Sequence, residues 1–518
     1  MGKSRLGTKI PRSFYKIYIP IFLLLISFSC TSSQSLKKKQ IAGDPVEKLH
    51  QDIDYILQDS SLYQSRVGVK IFSLDRDEIL YAKNNQQLFH PASNMKLLTT
   101  ATALKKLGPD YHFSTILYTD SNQISNGIIK GDLYLKGKGD PDLSSGDLDA
   151  MVKSLQEQEI YRIEGDLVFD DTYFDSLYWG SGWMWDDASV WEFAPIHALS
   201  VNDNCVKLKV KSGKKIGDTL NVNMEPATRY MTLENKGISV DSLDTLMIQK
   251  FTAERKWVER TNTIQVTGGM ALSDPPEEFV IDVLDGAAYT ATLFAEKMNE
   301  YGIAFNGKIY RHKIPPSAQL LVKHQSPPLS IVVYNTNKIS DNLSAELILK
   351  TVGAEEKGRP GTAKKGISVI YEYLQQLGID SLTYHLADGS GVSRYNVITP
   401  DLLIQLLKDM DRDFKVQAEF KTSLPVAGAD GTLENRMKQA AAANKLRAKT
   451  GTLKGASSLS GYTTTADDEK IAFSIMIEHF VTRTSRIRKI QDRIGELISS
   501  FSRNPMPSES IGTEEKTN

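Results

Sequence analysis

Cysteine is nearly absent from this 518-residue chain: only Cys30 and Cys205 occur. That excludes a disulfide scaffold and any multi-cysteine zinc or iron–sulfur site. An excess of charge of one sign is absent too. Sixty-two Lys and Arg face 63 Asp and Glu, a net charge of −1, so the chain lacks the basic footprint of a nucleic-acid binder and carries no acidic tail or basic arm. The eight histidines never fall in a ligand spacing such as His-Glu-x-x-His, and no glycine loop suited to cradling phosphate is present. No metal or cofactor is expected, and His90 and His197 read as packing or hydrogen-bonding residues. A hydrophobic share of 41% and a charged share of 24% argue against disorder, collagen and a polytopic membrane protein. At roughly 100–200 residues per domain the length suggests two to four domains.

A long apolar run is also missing. Lys3, Arg5, Lys9, Arg12 and Lys16 precede the apolar stretch Ile17 to Phe28, which is shorter than the roughly 20 residues that span a bilayer. Charge, short apolar core and small residues in that order read as an export signal over residues 1–30, with the polar residues 31–44 as a tether. Cys30 stands where bacterial lipoproteins carry their lipidated cysteine, which would give attachment to a membrane through the N-terminus. Simple cleavage and an uncleaved anchor are the other readings. Cys205 reads as a small buried side chain.

Along the rest of the chain, Arg66 to Leu74 alternates and is β-branched, and Asp75 to Glu78 separates it from Ile79-Leu80-Tyr81, a hairpin. From Ser93 onward Leu97, Leu98, Ala101, Leu104 and Leu107 fall at helical spacing until Gly108-Pro109. Short strand-like runs with frequent turns fill residues 110 to 325. Helical patterning returns at Ala287 to Tyr301 and dominates Leu343 to Leu377. Ile471 to Phe480 reads as a strand and Ile487 to Phe501 as a last helix. Strands at both ends with helices between them predict an α+β fold whose sheet is assembled from both termini, with the middle inserted. The polar tail, residues 503–518, is expected to be disordered.

Four short signals bear on chemistry. Ser93-Asn94-Met95-Lys96 opens a helix, and a spacing of three sets hydroxyl and amine on one face. A serine hydroxyl is a poor nucleophile until a neighbouring base takes its proton, which an unprotonated lysine does when burial or a nearby cation lowers its pKa. Ser340-Asp341-Asn342 precedes a helical run, and alone it is an N-cap. Lys449-Thr450-Gly451 occurs once, and alone it is a strand edge with a small residue where another backbone approaches. Asp388 to Asn396 is, by composition, a glycine-rich loop. Ser-x-x-Lys, Ser-x-Asn and Lys-Thr-Gly in that order form the motif set of penicillin-binding proteins and related β-lactamases.

With these, Gly131 to Leu135, Gly139-Asp140-Pro141, Gly182 to Asp187, Ser326 to Leu329, Leu424 to Gly428 and Asp430 to Leu433 resemble the D-alanyl-D-alanine carboxypeptidases/endopeptidases of the class C low-molecular-mass penicillin-binding proteins, peptidase family S13. The resemblance runs from about residue 50 to 500. It implies a DD-peptidase-type catalytic domain, an antiparallel sheet flanked by helices, split over 45–105 and 326–502. Nested within it would be one inserted β-rich domain, 106–204 and 274–325, and a second, 205–273. Ser93 and Ser340 lie 247 positions apart, a gap that a plain β-lactamase lacks.

The resemblance implies acyl transfer from peptidoglycan stem peptides through an ester on Ser93, and covalent inhibition by β-lactams. It implies Lys96 as base, Ser340 as proton relay, Asn342 as a substrate and Lys96 partner, and Lys449 as a second cation. Thr450 would bond the substrate carboxylate. The N–H groups of Ser93 and Thr452 would form the oxyanion hole, and Gly451 would let substrate lie along the strand. Asp170, Phe174 and Arg394 would receive the basic side chain of the stem peptide. A β-lactamase and a catalytically idle peptidoglycan-binding scaffold are the alternatives.

Overall fold

A computed structural model describes residues 44–120, 124–187, 190–241 and 249–504. The leader, Cys30 and the tether up to residue 43 lie outside them, as do residues 505–518 of the tail. The remaining tail is fixed: Arg503 Nε donates to Glu469 at 2.8 Å and the same guanidinium pairs with Glu78. At the other end Asp44, the last residue of the expected tether, caps the helix Pro45–Ile56 by accepting from Val46 N at 3.0 Å.

Five antiparallel strands form the sheet that both termini build, in the order Glu78–Lys83, Arg66–Ser73, Lys470–Glu478, Ala456–Thr464, Arg447–Leu453. Its three inner strands are buried along nearly their whole length, because both faces are covered. Alternation divides the side chains. Val69, Ile71, Phe473, Ile475 and Ile477 meet Leu49 and Ile53 of the first helix and Ile487, Ile490 and Ile494 of the last helix, Thr484–Ser500. On the other face Phe72, Ala472 and Met476 meet Leu402, Leu403 and Leu406 of the helix Pro400–Arg412 and Leu97, Leu98 and Ala101 of the helix Met95–Leu107. The expected hairpin, first motif helix, final strand and final helix are all present.

Between residues 112 and 328 the chain builds other sheets. The largest has the order Ile309–Arg311, Leu167–Asp170, Leu133–Gly137, His112–Thr119, Gln319–Pro328. Its core includes the helix Gly286–Glu300 and the helix Ser145–Glu157, whose Ser144/Asp147 capping box went unread in the sequence. The strand Cys205–Lys211 pairs antiparallel with Glu277–Asp282. The expected inner boundary at 273 therefore cuts between two hydrogen-bonded strands, and the inner segment closes near Asp282 instead. Cys205 is buried, and burial pushes its thiol pKa well up.

The central strand makes the fold testable. Phe473 is fully buried between sheet and helices, so Phe473→Ala is expected to lower unfolding free energy by about 3–5 kcal/mol, read as a fall in the denaturant midpoint at unchanged slope.

Candidate active site

The three motifs meet at one cleft of about 380 Å³, lined by Ser93, Ser340, Asn342, Thr450 and Thr452 among others. Ser93 lies in the short 3-10 turn Ala92–Asn94, which leads into the Met95–Leu107 helix and sets Lys96 one turn on. Lys96 Nζ sits 3.1 Å from Ser93 Oγ, donates to Asn342 Oδ1 at 2.6 Å and to the Ser390 carbonyl at 2.8 Å. Opposite, Lys449 Nζ donates to Ser340 Oγ at 2.7 Å and to its neighbour's carbonyl, Thr450 O, at 3.0 Å.

Ser340-Asp341-Asn342 is an N-cap as well as a chemical motif. Asp341 caps the helix Asn342–Lys357, accepting from Leu343 N at 3.0 Å. Ser340 ends the preceding helix Leu329–Ile339 with φ +66°, a left-handed conformation that costs a non-glycine residue energy and turns its hydroxyl toward Lys449. Asn342 is held from both sides, since its Nδ2 donates to the Glu192 carbonyl at 2.8 Å.

Two glycines permit close approach at the nucleophile. A Cβ on Gly451 would come within 2.7 Å of the Pro91 carbonyl and 3.0 Å of Ser93 N, so the glycine lets the Ser93 turn seat against the Arg447–Leu453 strand. Gly391, at φ +89°, passes so near the Ala92 carbonyl that a Cβ would lie 1.8 Å from it. The Asp388 loop is thus part of the site. Asp388 organises it, accepting from Gly391 N at 2.8 Å, Ser393 N at 2.7 Å, Asn396 Nδ2 at 2.6 Å and Trp183 Nε1 at 2.9 Å.

Burial governs the electrostatics. Lys96 and Lys449 are both 0% exposed. Desolvation pushes Lys96 down to about 8, opposed by the nearby carboxylates of Asp341, Asp388 and Glu346. Lys449 is also pushed well below its usual range, first by burial and then by the Lys96 charge. Burial is the larger cause for both, and the repulsion between the two amines acts in the same direction.

The cleft also holds residues that sequence reasoning missed. Trp191 and Glu192 reach it from the middle of the chain, Thr432 accepts from Thr450 Oγ1 at 2.8 Å, and Arg436 and Arg488 add positive charge. Arg488 Nη2 donates to Thr452 Oγ1 at 3.1 Å. The Asp430-Gly431-Thr432-Leu433 match was the one signal for any of these.

Asp170 and Phe174 are not brought to the cleft. Asp170 is fully buried at a strand end, bonded to Lys136 Nζ at 2.9 Å, Thr172 Oγ1 at 2.7 Å and Ile314 N at 3.1 Å. Phe174 packs under Gly139 and Gly361, with the Lys350 ammonium 5.8 Å from its ring. Both are structural. Asp171 is likewise engaged, with His197 at 3.1 Å and Arg311 at 3.3 Å. Arg394, on the Asp388 loop, donates to the Lys454 carbonyl at 3.2 Å, next to the Lys449 strand. Among the described residues no group of three or more His, Cys, Asp or Glu is gathered as a metal would require.

Residues 49–500 match the D-Ala-D-Ala carboxypeptidase 3 (S13) family. The chain belongs to this family. It is 35% identical to the D-alanyl-D-alanine carboxypeptidase of Actinomadura sp. (strain R39) over 84% of this chain and 82% of that one. It is 30% identical to the D-alanyl-D-alanine carboxypeptidase DacB of Haemophilus influenzae over 89% and 92%. The crystal structure of penicillin-binding protein 4 from Haemophilus influenzae superposes with a TM-score of 0.75 at 29% identity, covering 86% of this chain and 97% of that one. The same protein complexed with a β-lactam gives 0.70 at 28% identity, covering 86% and 98%.

Within this S13 site Glu346 is a positioning residue. One turn beyond Asn342 and buried, it accepts from Gly389 N at 2.9 Å and Ser390 N at 2.8 Å, aiming the Ser390 carbonyl at Lys96. Its charge also raises the Lys96 pKa. Acylation by a fluorescent penicillin is expected to rise with pH through about 8 as Lys96 loses its proton. Glu346→Gln keeps both acceptor bonds but removes the charge, so this inflection should move to lower pH; Glu346→Ala removes the charge as well and should in addition lower the plateau, by about a hundredfold, by loosening the loop.

Proposed function

We propose that this S13 chain is a serine D-Ala-D-Ala carboxypeptidase, with DD-endopeptidase activity on cross-links, acting on peptidoglycan stem peptides and acylated by β-lactams. The observation that carries the reading is the Lys96 amine, 3.1 Å from Ser93 Oγ and lowered to about 8, a base near its working range beside a serine. Ser93 Oγ attacks the carbonyl carbon between two D-alanines while Lys96 Nζ takes the hydroxyl proton. The N–H groups of Ser93 and Thr452 receive the oxyanion. Collapse breaks the C–N bond, and the proton that Lys96 took is delivered to the leaving nitrogen by way of Ser340, itself bonded to Lys449, which leaves Lys96 neutral again. Water then attacks the Ser93 ester, giving its proton to Lys96, which returns it to Ser93 Oγ as the C–O bond breaks and the freed acid leaves.

The substrate carboxylate fits the end of the cleft where Thr450 and Thr452 meet Arg488 and Arg436. Arg394 remains a candidate for the stem-peptide side chain, without Asp170 and Phe174. The sheet shared by both termini and the separate sheets of the middle segment support a catalytic domain split by an inserted block. The charged, short apolar leader supports export to the periplasm or envelope, with Cys30 as a lipid attachment point. Among the described residues no helix is long and apolar enough to cross a membrane.

Labelling with fluorescent penicillin followed by peptide mapping tests the reading. The label is expected on Ser93 and absent from Ser93→Ala, with D-alanine released from monomeric muropeptides and monomers from cross-linked ones. Rapid turnover of a chromogenic β-lactam would favour a β-lactamase instead. Arg488→Ala should raise KM for stem peptide by about tenfold, the worth of one hydrogen bond to a charged group.

A further inference from the structure

A second cavity, of about 650 Å³, lies in the middle of the chain and is walled by aromatic rings: Tyr178, Trp179, Trp185 and Trp257, over the Arg255–Asp282 pair. Its size falls in the range of about 300–1,000 Å³ that suits a small-molecule ligand. The rings differ in how they are held. Tyr178 is stacked on His197 with centroids 4.0 Å apart, and Trp179 meets Trp183 edge-on at 5.2 Å. Trp185 and Trp257 form the outer pair, 5.5 Å apart and tilted by 45°, and Trp185 is 76% exposed. A tryptophan left so open contributes little to the core, and exposed aromatic surface beside a cavity marks a binding site.

The polar part of the lining is equally ordered. Arg255 and Asp282, both buried, are joined by Nη2 to Oδ2 at 2.8 Å and Nε to Oδ1 at 3.1 Å. Flat aromatic faces with the exposed Arg260 in the same wall suit a pyranose ring, which offers apolar C–H faces to the indoles and hydroxyl or acetamido groups to that guanidinium, while the buried Arg255–Asp282 pair holds the lining in place. A lipid chain would make no use of that guanidinium.

The cavity is tied to the catalytic cleft by one segment. Trp191 and Glu192 line the cleft, while Trp185 and Pro195 line the cavity. The turn Trp191–Phe193 packs against the Glu277–Asp282 strand that carries Asp282. Glu192 and Pro195 are three residues apart, so their Cα atoms lie within about 11 Å. An extended peptide of about four residues covers up to about 14 Å, more than the separation of these two lining residues.

We propose that this cavity is a saccharide subsite that holds an N-acetylated hexosamine of the glycan strand while its stem peptide occupies the cleft. The inference rests on the peptidoglycan reading above. Its test uses the intact protein and two measurements. Titration with the β-1,4-linked disaccharide of N-acetylglucosamine is expected to change intrinsic tryptophan fluorescence saturably, and the change should vanish in the Trp185→Ala/Trp257→Ala double variant. D-Alanine release is then compared between a free pentapeptide and the same pentapeptide on a disaccharide. The double variant should raise KM for the glycan-bearing substrate by about tenfold and leave the free peptide within about twofold, with Trp257→Tyr restoring most of the difference. Undiminished labelling by fluorescent penicillin reports that the variants are folded. Absence of a saturable signal in the wild-type protein, or an equal rise in KM for both substrates, overturns the subsite. Loss of D-alanine release from every substrate with the sugar titration intact overturns the peptidase reading and leaves the subsite standing.

Discussion

Two lysine amines buried at one site set the terms for everything around them. Removing a charge from water costs several kcal/mol unless polar partners replace the solvent, and Lys96 and Lys449 are both wholly buried. Lys96 has Ser93, Asn342 and the Ser390 carbonyl about it, and Lys449 has Ser340 and a backbone carbonyl. Those partners come from the first motif helix, a helix–helix junction, a glycine-rich loop and a late strand. Bringing them to one point requires a chain folded so that its ends share a sheet and its middle stands aside. The uneven supply of carboxylates then distinguishes the two amines. Asp341, Asp388 and Glu346 oppose the desolvation of Lys96, so it stays near the range in which it can both take and return a proton; Lys449 lacks such help.

The same crowding fixes the nucleophile through backbone contact. Ala92 holds φ +47°, a conformation that costs about 1–3 kcal/mol and persists only where surroundings over-determine it. Here they do. Gly391 closes on the Ala92 carbonyl from one side, Gly451 on the Pro91 carbonyl and Ser93 N from the other. Ser458 Oγ donates to Pro91 O at 2.6 Å and Asn94 Nδ2 to Lys449 O at 2.8 Å. The Ser93 N–H is thereby held beside the strand that supplies Thr452, which is the juxtaposition an oxyanion hole needs.

How far the sequence could be read follows from what each signal encodes. Ser93, Lys96, Ser340, Asn342 and Lys449 were legible because motif spacing records local geometry, and the sheet was legible in part, through the β-branched alternation of Arg66 to Leu74 and the apolar run Ile471 to Phe480. Asp170 misled for a definite reason. Its partner Lys136 sits opposite it in the parallel pairing of two strands, and a sequence does not say whether a carboxylate meets an internal cation or an open cleft. Arg436 and Arg488 were hidden in the opposite way. Arg488 lies on the last helix, where the apolar stripe was visible but a cation on the polar face looks the same whether it meets water or substrate. Glu346 was lost inside a helix that reads as apolar, since only the folded loop supplies the two N–H groups it accepts.

Asn342 shows why the middle segment is more than a passenger. Its amide has one orientation that satisfies both neighbours: Oδ1 toward the Lys96 ammonium at 2.6 Å and Nδ2 toward the Glu192 carbonyl at 2.8 Å. The flipped amide would set donor against donor and acceptor against acceptor. An aspartate of the same shape would fare worse, because it would hold Lys96 charged and face the carbonyl with a second negative oxygen. The Glu192 carbonyl therefore selects the amide that leaves Lys96 free to lose its proton. Glu192 belongs to the same stretch of chain as Trp185 and Pro195, so the contact that orients Asn342 beside Lys96 comes from the segment that also lines the aromatic cavity.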